Sequence, residues 1–178
     1  MRVFVALFRG INVGGHNKLP MADLRRHLVA LGCNEVQTVV QSGNAVFESG
    51  QRSTTALESA IAEAIHEAHG FRPAVLVLDA GEFVARLEAT PVPDAVDDPK
   101  TLPPFSAAEK PREPDLDKIE SARSPTERCT LIGDVLYLHA PDGIARSKLA
   151  AGAERWLGVP VTARNWNTLE KLRGLAAD

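Results

Sequence analysis

With 178 residues, 44% of them hydrophobic and 24% charged, the chain has room for one large domain or two small ones with packed cores. A formal net charge of −3 excludes a protein coated in basic residues for nucleic acid, so any anion site must be a local cluster. Only two cysteines, Cys33 and Cys129, are present, which excludes a disulfide framework and a four-thiolate zinc site.

Val3 to Phe8 predicts the first strand. Its alternating sets, Val3/Val5/Leu7 and Phe4/Ala6/Phe8, are both apolar, so both faces should be covered. The run ends at Arg9, too short for a signal-peptide core, and no later run approaches a membrane span. A cytoplasmic location is therefore expected. A glycine-rich loop, "RGINVGGHNK" (residues 9–18), separates this strand from a helix over Pro20 to Leu31, with Leu24, Leu28 and Leu31 inward and Gly32 at its end.

Val36 to Gln41 and Asn44 to Ser49 predict two strands joined by Ser42-Gly43 as a two-residue turn. A helix follows, with Thr55 and Glu58 at capping-box spacing and Leu57, Ile61, Ile65 and Ala68 inward. Ala74 to Leu78 is the next strand. The order β-α-β-β-α-β is that of a ferredoxin-like unit, or α/β-plait.

After a short helix near Gly81 to Leu87 the same order recurs. It reads as a strand at Thr101 to Ser106, a helix at Asp115 to Ser121, and strands at Arg128 to Ile132 and Val135 to His139 joined by Gly133-Asp134. A helix from Ser147 to Leu157 ends at Gly158, a short strand spans Val161 to Ala163, and a last helix runs from Thr168 to about Ala176. The difficult element is "TLPPFS": Pro103 and Pro104 cannot donate to a ladder, yet the repeat makes this a central strand. Residues 89 to 127, dense in Pro, Asp and Glu, read as linker plus irregular structure. The expected architecture is α+β with an internal duplication. Residues 1–80 form a first βαββαβ subdomain, 81–99 a linker with a short helix, and 100–178 a second βαββαβ-like subdomain plus a terminal helix.

The opening loop has the glycine spacing of a Walker A motif, but His16-Asn17 stands where Lys-Ser/Thr is required. A G-x-G-x-x-G fingerprint is also missing there. Glycines still let backbone N–H groups approach an anion, with Arg9 and Lys18 supplying charge and Asn12, Gly14, Gly15 and Asn17 lining the loop. The plainer alternative is a tight turn whose asparagines bond the backbone. Topology sets this loop beside "QSGN", residues 41–44, so Gln41, Ser42 and Asn44 join the candidate site; there too Asn44 can simply bond the backbone.

A second candidate cluster lies in "PDGIARSKL" (141–149) and "ARNWNTLEKL" (163–172), each preceding a helix. Arg146, Lys148 and Arg164 would bring cations to helix N-termini, which already favour anions, with Ser147, Asn165, Trp166 and Asn167 beside them. The alternative is structural: Ser147 and Asn167 as caps, Asn167 and Glu170 as a capping box, and Trp166 as a core anchor.

These segments, "ALFRGINVGGHNKLPMADLRRHL", "QSGNAVFES", "RSKL" and "RNWNTLEKL", resemble in their order the bacterial family called domain of unknown function 1697. The resemblance implies two α/β-plait subdomains and no assigned activity. Three positions depart from the family pattern: Val39 replaces a common aromatic, Ala145 a usual glycine, and "TLPPFS" a more apolar strand.

Other catalytic signals are thin. His66 and His69 are spaced to share a metal but lack a third ligand, and a solvated helix face is the better account, so no metal site is expected. Cys33 has no evident base, Ser147-Lys148 is not an S-x-x-K pair, and Asp94, Asp97 and Asp98 read as a solvated acidic run. The functional expectation is a small anionic ligand, phosphorylated or nucleotide-like, bound in a groove shared by the two loop clusters. An enzyme of unknown reaction at that site, or a single-stranded nucleic-acid module, are the alternatives. No motif names a cofactor, a membrane partner is not expected, and the oligomeric state is not encoded in any pattern.

Overall fold

The computed structural model describes residues 1–41, 43–91, 101, 104–107 and 110–177. The chain divides into two compact units, Met1–Ala85 with Glu170–Asp178, and Arg86–Leu169.

In the first unit the elements are β1 (Arg2–Arg9), α1 (Met21–Ala30), β2 (Asn34–Thr38), β3 (Asn44–Ser49), α2 (Thr54–His69) and β4 (Ala74–Asp79). They form a four-stranded sheet in the order β2-β3-β1-β4, with all neighbours antiparallel. Phe4, Ala6 and Phe8 of β1 pack with Phe47 of β3, Leu24 and Leu28 of α1, and Leu57, Ile61 and Ile65 of α2. Val5 and Leu7 on the opposite face are buried as well, so both apolar sets of β1 are covered as their composition requires.

Besides Leu31, expected inward but exposed just after α1, two local readings change. The first concerns β2, which starts at Asn34 and stops at Thr38 instead of running to Gln41. The cause is backbone: Glu35 (φ 47°) sits at a register shift, and Val40 (φ 51°) is left-handed and cannot extend a strand. The connection to β3 is thus residues 39–43 rather than a two-residue turn. The second concerns α2, which is capped by Ser53, whose Oγ accepts from the Ala56 N–H at 3.2 Å. Glu58 turns away from the predicted capping box to accept the Val77 N–H of edge strand β4 at 2.9 Å. On the inward face Ala62 is buried where Ala68 was expected, and Ala68 is exposed.

After α3 (Ala80–Glu88), the second unit contains β5 (Pro104–Ala107), α4 (Leu116–Ala122), β6 (Arg128–Ile132), β7 (Val135–His139), a single 3-10 turn at Ile144–Arg146, α5 (Lys148–Leu157) and β8 (Val161–Ala163). Its sheet order, β6-β7-β5-β8, repeats the first unit strand for strand. Ile119 of α4, Leu136 and Leu138 of β7, and Leu149, Ala153 and Leu157 of α5 make its core. Central strand β5 tolerates its proline because Pro104 is the first residue and pairs only with Tyr137 of β7; pairing with β8 begins at Phe105. Leu102 and Pro103 lie outside the described residues. Gly133-Asp134 does turn a two-residue hairpin, with Ile132 opposite Val135.

The last helix, α6 (Trp166–Ala177), starts two residues before the predicted Thr168. In all, two four-stranded antiparallel sheets and six α-helices are present among the described residues.

Candidate functional site

The glycine loop and the 39–43 connection stand together, as the topology requires. Asn12 is the clamp. Its Nδ2 donates to the Leu19 and Gln41 carbonyls, both at 2.8 Å, and its Oδ1 accepts the Leu19 N–H at 2.8 Å. Asn17 Nδ2 donates to the Gly10 carbonyl at 2.9 Å, and the Asn12 N–H donates to the Asn17 carbonyl at 3.1 Å. Asn12 and Asn17 both have positive φ, 55° and 49°, a conformation that asparagine tolerates better than most residues. Buried Ile11 and Leu19 anchor the loop to the core.

Asn44 is fully buried and closes the neighbouring connection. Its Nδ2 donates to the Val39 carbonyl at 2.9 Å, while the Val39 N–H donates to the Asn44 carbonyl at 2.9 Å. Gly43 shows why a side chain is excluded. Its φ is 78°, its carbonyl accepts the Phe8 N–H at 3.0 Å, and an added Cβ would overlap Ile11 and lie 2.8 Å from Phe8 Cβ. The amides of Asn12, Asn17 and Asn44 are therefore committed to holding the loops. Arg9, Gly14, Gly15, His16, Lys18 and Gln41 are exposed, as are Val13, Asn17 and Val40, and Ser42 lies outside the described residues. Val40, a β-branched residue in the left-handed region, stores strain at this rim.

In the second unit, Ser147 is the N-cap of α5: its Oγ accepts from the Ala150 N–H at 3.0 Å, as its position before the apolar run suggested. Arg146 and Lys148 flank it, both exposed, and neither makes an ion pair among the described residues. They line a cleft of about 330 Å³ together with Arg123, Ser124, Glu127 and Asp142. Arg123 is braced by Glu120 at 3.0 Å and donates to the Glu127 carbonyl at 2.8 Å. The carboxylates are occupied too: Glu127 accepts the Ser124 N–H at 2.8 Å and Asp142 accepts from Thr126 at 2.6 Å. Arg123 was missed in the sequence because it follows α4, far along the chain from "RSKL", and nothing local marks it.

Arg164 and Asn165 are not among the residues lining that cleft. Arg164 is half-buried and donates to the Ala163 carbonyl at 2.9 Å; loss of solvent pulls its pKa down to about 10. The cap of α6 is Asn165, not Asn167. Asn165 Oδ1 accepts the Asn167 N–H at 2.8 Å, and its carbonyl accepts from Thr168 at 2.9 Å. The helix starts at Trp166, which places Asn167 inside its first turn, where it receives a cap instead of providing one. Trp166 is 3% exposed, as a core anchor should be, and its Nε1 has no hydrogen-bond partner among the described residues.

The remaining candidates are reassigned or set aside. His69 meets His27 of α1 rather than its helix neighbour His66, which is exposed. Burial pushes the Cys33 and Cys129 thiols up, away from nucleophilic character. Asp94, Asp97 and Asp98 lie outside the described residues, and no cluster of three or more His, Cys, Asp or Glu able to hold a metal occurs among those described. No helix is long and apolar enough to cross a membrane among the described residues.

These features define a mixed α+β protein built from two sheet-and-helix units, each carrying polar loops at helix starts. The chain belongs to the family described as protein of unknown function DUF1697, whose model matches residues 1–137. It is also similar to the solved structure of conserved bacterial protein SP0830 from Streptococcus pneumoniae, with a TM-score of 0.68, 25% identity, and 98% of each chain covered. No curated protein matches the sequence.

Proposed function

We propose that this protein binds a small anionic ligand, phosphorylated or nucleotide-like, and that the cleft at the start of α5 is the place where such a ligand docks. The observation that carries the reading is the cleft's pair of exposed cations, Arg146 and Lys148, neither in an ion pair among the described residues. Between them stands the Ser147-capped N-terminus of a ten-residue helix, whose partial positive charge adds to theirs. Arg123, its guanidinium held by Glu120 and the Glu127 carbonyl, lines the same cleft. Two-unit plaits are the scaffold: the element order β-α-β-β-α-β and the repeated strand order support reading each unit as ferredoxin-like.

The glycine loop of the first unit carries its own exposed cationic rim, with Arg9, Lys18, Gly14, Gly15 and Gln41. Its internal asparagine clamps pre-shape that rim, which lowers the ordering entropy a ligand must overcome. A nucleic-acid module is less well supported. Phe4, Phe8, Phe47 and Tyr137 of the strands are buried and offer no stacking platform.

The test is a melting-temperature screen with pyrophosphate, sugar phosphates and nucleoside mono-, di- and triphosphates. A binder should raise the melting temperature with a concentration dependence that yields an affinity. Arg146→Glu and Lys148→Glu should each weaken that affinity about tenfold or more, and Arg9→Glu and Lys18→Glu put the same question to the glycine loop. If no anion shifts the transition, or if charge reversal at Arg146 and Lys148 leaves the affinity unchanged, the reading is wrong.

A further inference from the structure

We propose that His27 and His69 form an exchangeable transition-metal site that joins the ends of α1 and α2. Their Nε2 atoms are 3.0 Å apart and their rings cross at 81°, with centroids separated by 5.2 Å. Two nitrogens bound at 2.0–2.1 Å to one ion, at angles between square and tetrahedral, are separated by about 2.8 to 3.4 Å. The observed nitrogen spacing falls inside that window; the 5.2 Å between centroids sets the two Nε2 atoms face to face, so the rings must tilt about their side-chain bonds for both lone pairs to meet one ion.

The surroundings favour a cation at this point. His27 lies in the last turn of α1 and His69 is the final residue of α2, so both rings stand at helix C-termini, where the backbone carries partial negative charge. The Asp23 carboxylate, one turn before His27 on the same helix, acts electrostatically on both rings and is itself held by Arg26. Phe71 lies beside His69, with 6.3 Å between the ring centroids. The His27 pKa is lowered, by burial first and then by the neighbouring His69, which favours the neutral imidazole that a metal requires.

The protein supplies two ligands, so water must complete the coordination sphere and the ion must exchange. Imidazole pairs suit Cu²⁺, Ni²⁺ and Zn²⁺, with Cu²⁺ bound most tightly. This site is in the first unit and does not depend on the anion reading.

The experiment uses the untagged full-length chain titrated with Cu²⁺ and with Zn²⁺ near neutral pH. One ion per chain should bind. His27→Gln and His69→Gln should each reduce the affinity about tenfold or more, while His66→Gln should not. Electron paramagnetic resonance of the Cu²⁺ form should report two imidazole nitrogens in the wild type and one in each of the first two variants. Metal-free circular dichroism and melting temperature confirm that the variants fold. Equal affinity in wild type and His27→Gln, a loss caused by His66→Gln, or the absence of binding would overturn the site and leave a simple N–H···N hydrogen bond.

Discussion

The second and third strands of the two units are joined at equivalent places in very different ways. In the second unit Gly133-Asp134 makes a tight two-residue turn, and Arg86 grips Asp134 at 2.7 Å. In the first unit residues 39–43 make a longer path through the left-handed Val40, stitched to the glycine loop by Asn12. Elsewhere the units share their strand order, although their elements differ in length. In each, a glutamate of the second core helix accepts an N–H of the fourth strand: Glu58 from Val77 at 2.9 Å and Glu154 from Val161 at 3.2 Å.

Substitution at the two turn glycines should separate the hairpins most clearly. Gly43→Ala puts a methyl group into Ile11 and Phe8 at a left-handed φ, so urea unfolding should show a loss of about 3 to 4 kcal/mol. Gly133→Ala meets open space and should cost about 1 kcal/mol from its φ alone. Equal costs would mean that the first hairpin is no more constrained than the second.

Next in size is the clamp. Asn12→Ala removes two donated bonds and one accepted bond, and leaves the Leu19 N–H without its partner. The expected loss is about 2 to 3 kcal/mol by denaturant titration. Asn17→Ala removes only the bond to Gly10 and should cost about 1 kcal/mol. A larger effect at Asn17 would shift the keystone of the loop away from Asn12.

A smaller effect decides the start of α6. Asn165→Ala should cost about 1 kcal/mol as the loss of a cap, whereas Asn167→Ala should stay within about 0.5 kcal/mol. The reverse ranking would restore Asn167 as the cap.

The smallest effect is the pH response of the strand latch. Burial raises the Glu58 pKa in the folded protein, and the Val77 N–H only partly opposes this. The folded state then holds its proton more tightly than the unfolded state. The resulting stabilisation is complete below the ordinary glutamate range and is lost as pH rises through the folded pKa. Glu58→Gln, which keeps an acceptor for Val77, should flatten that dependence above the ordinary glutamate range and leave neutral stability equal or slightly higher. An unchanged pH profile would remove Glu58 as the titrating group.

Local chemistry alone determined much of this protein. A continuous apolar run set β1, turn glycines placed the 133–134 hairpin and the end of α5, and Ser147 announced the helix it caps. The adjacency of the glycine loop and the 39–43 connection followed from element order alone. These signals span a few residues, so the chain carries them without reference to anything distant. Only the tertiary structure decided which polar groups face inward. It turned Asn12, Asn17 and Asn44 onto backbone, gave Glu58 to β4, and brought Arg123 to the cleft beside Arg146. It also joined His69 to His27, 42 positions away along the chain, rather than to His66. Such pairings are chosen by how helices and loops pack and by the cost of burying an unpaired polar group, and no spacing along the sequence encodes either.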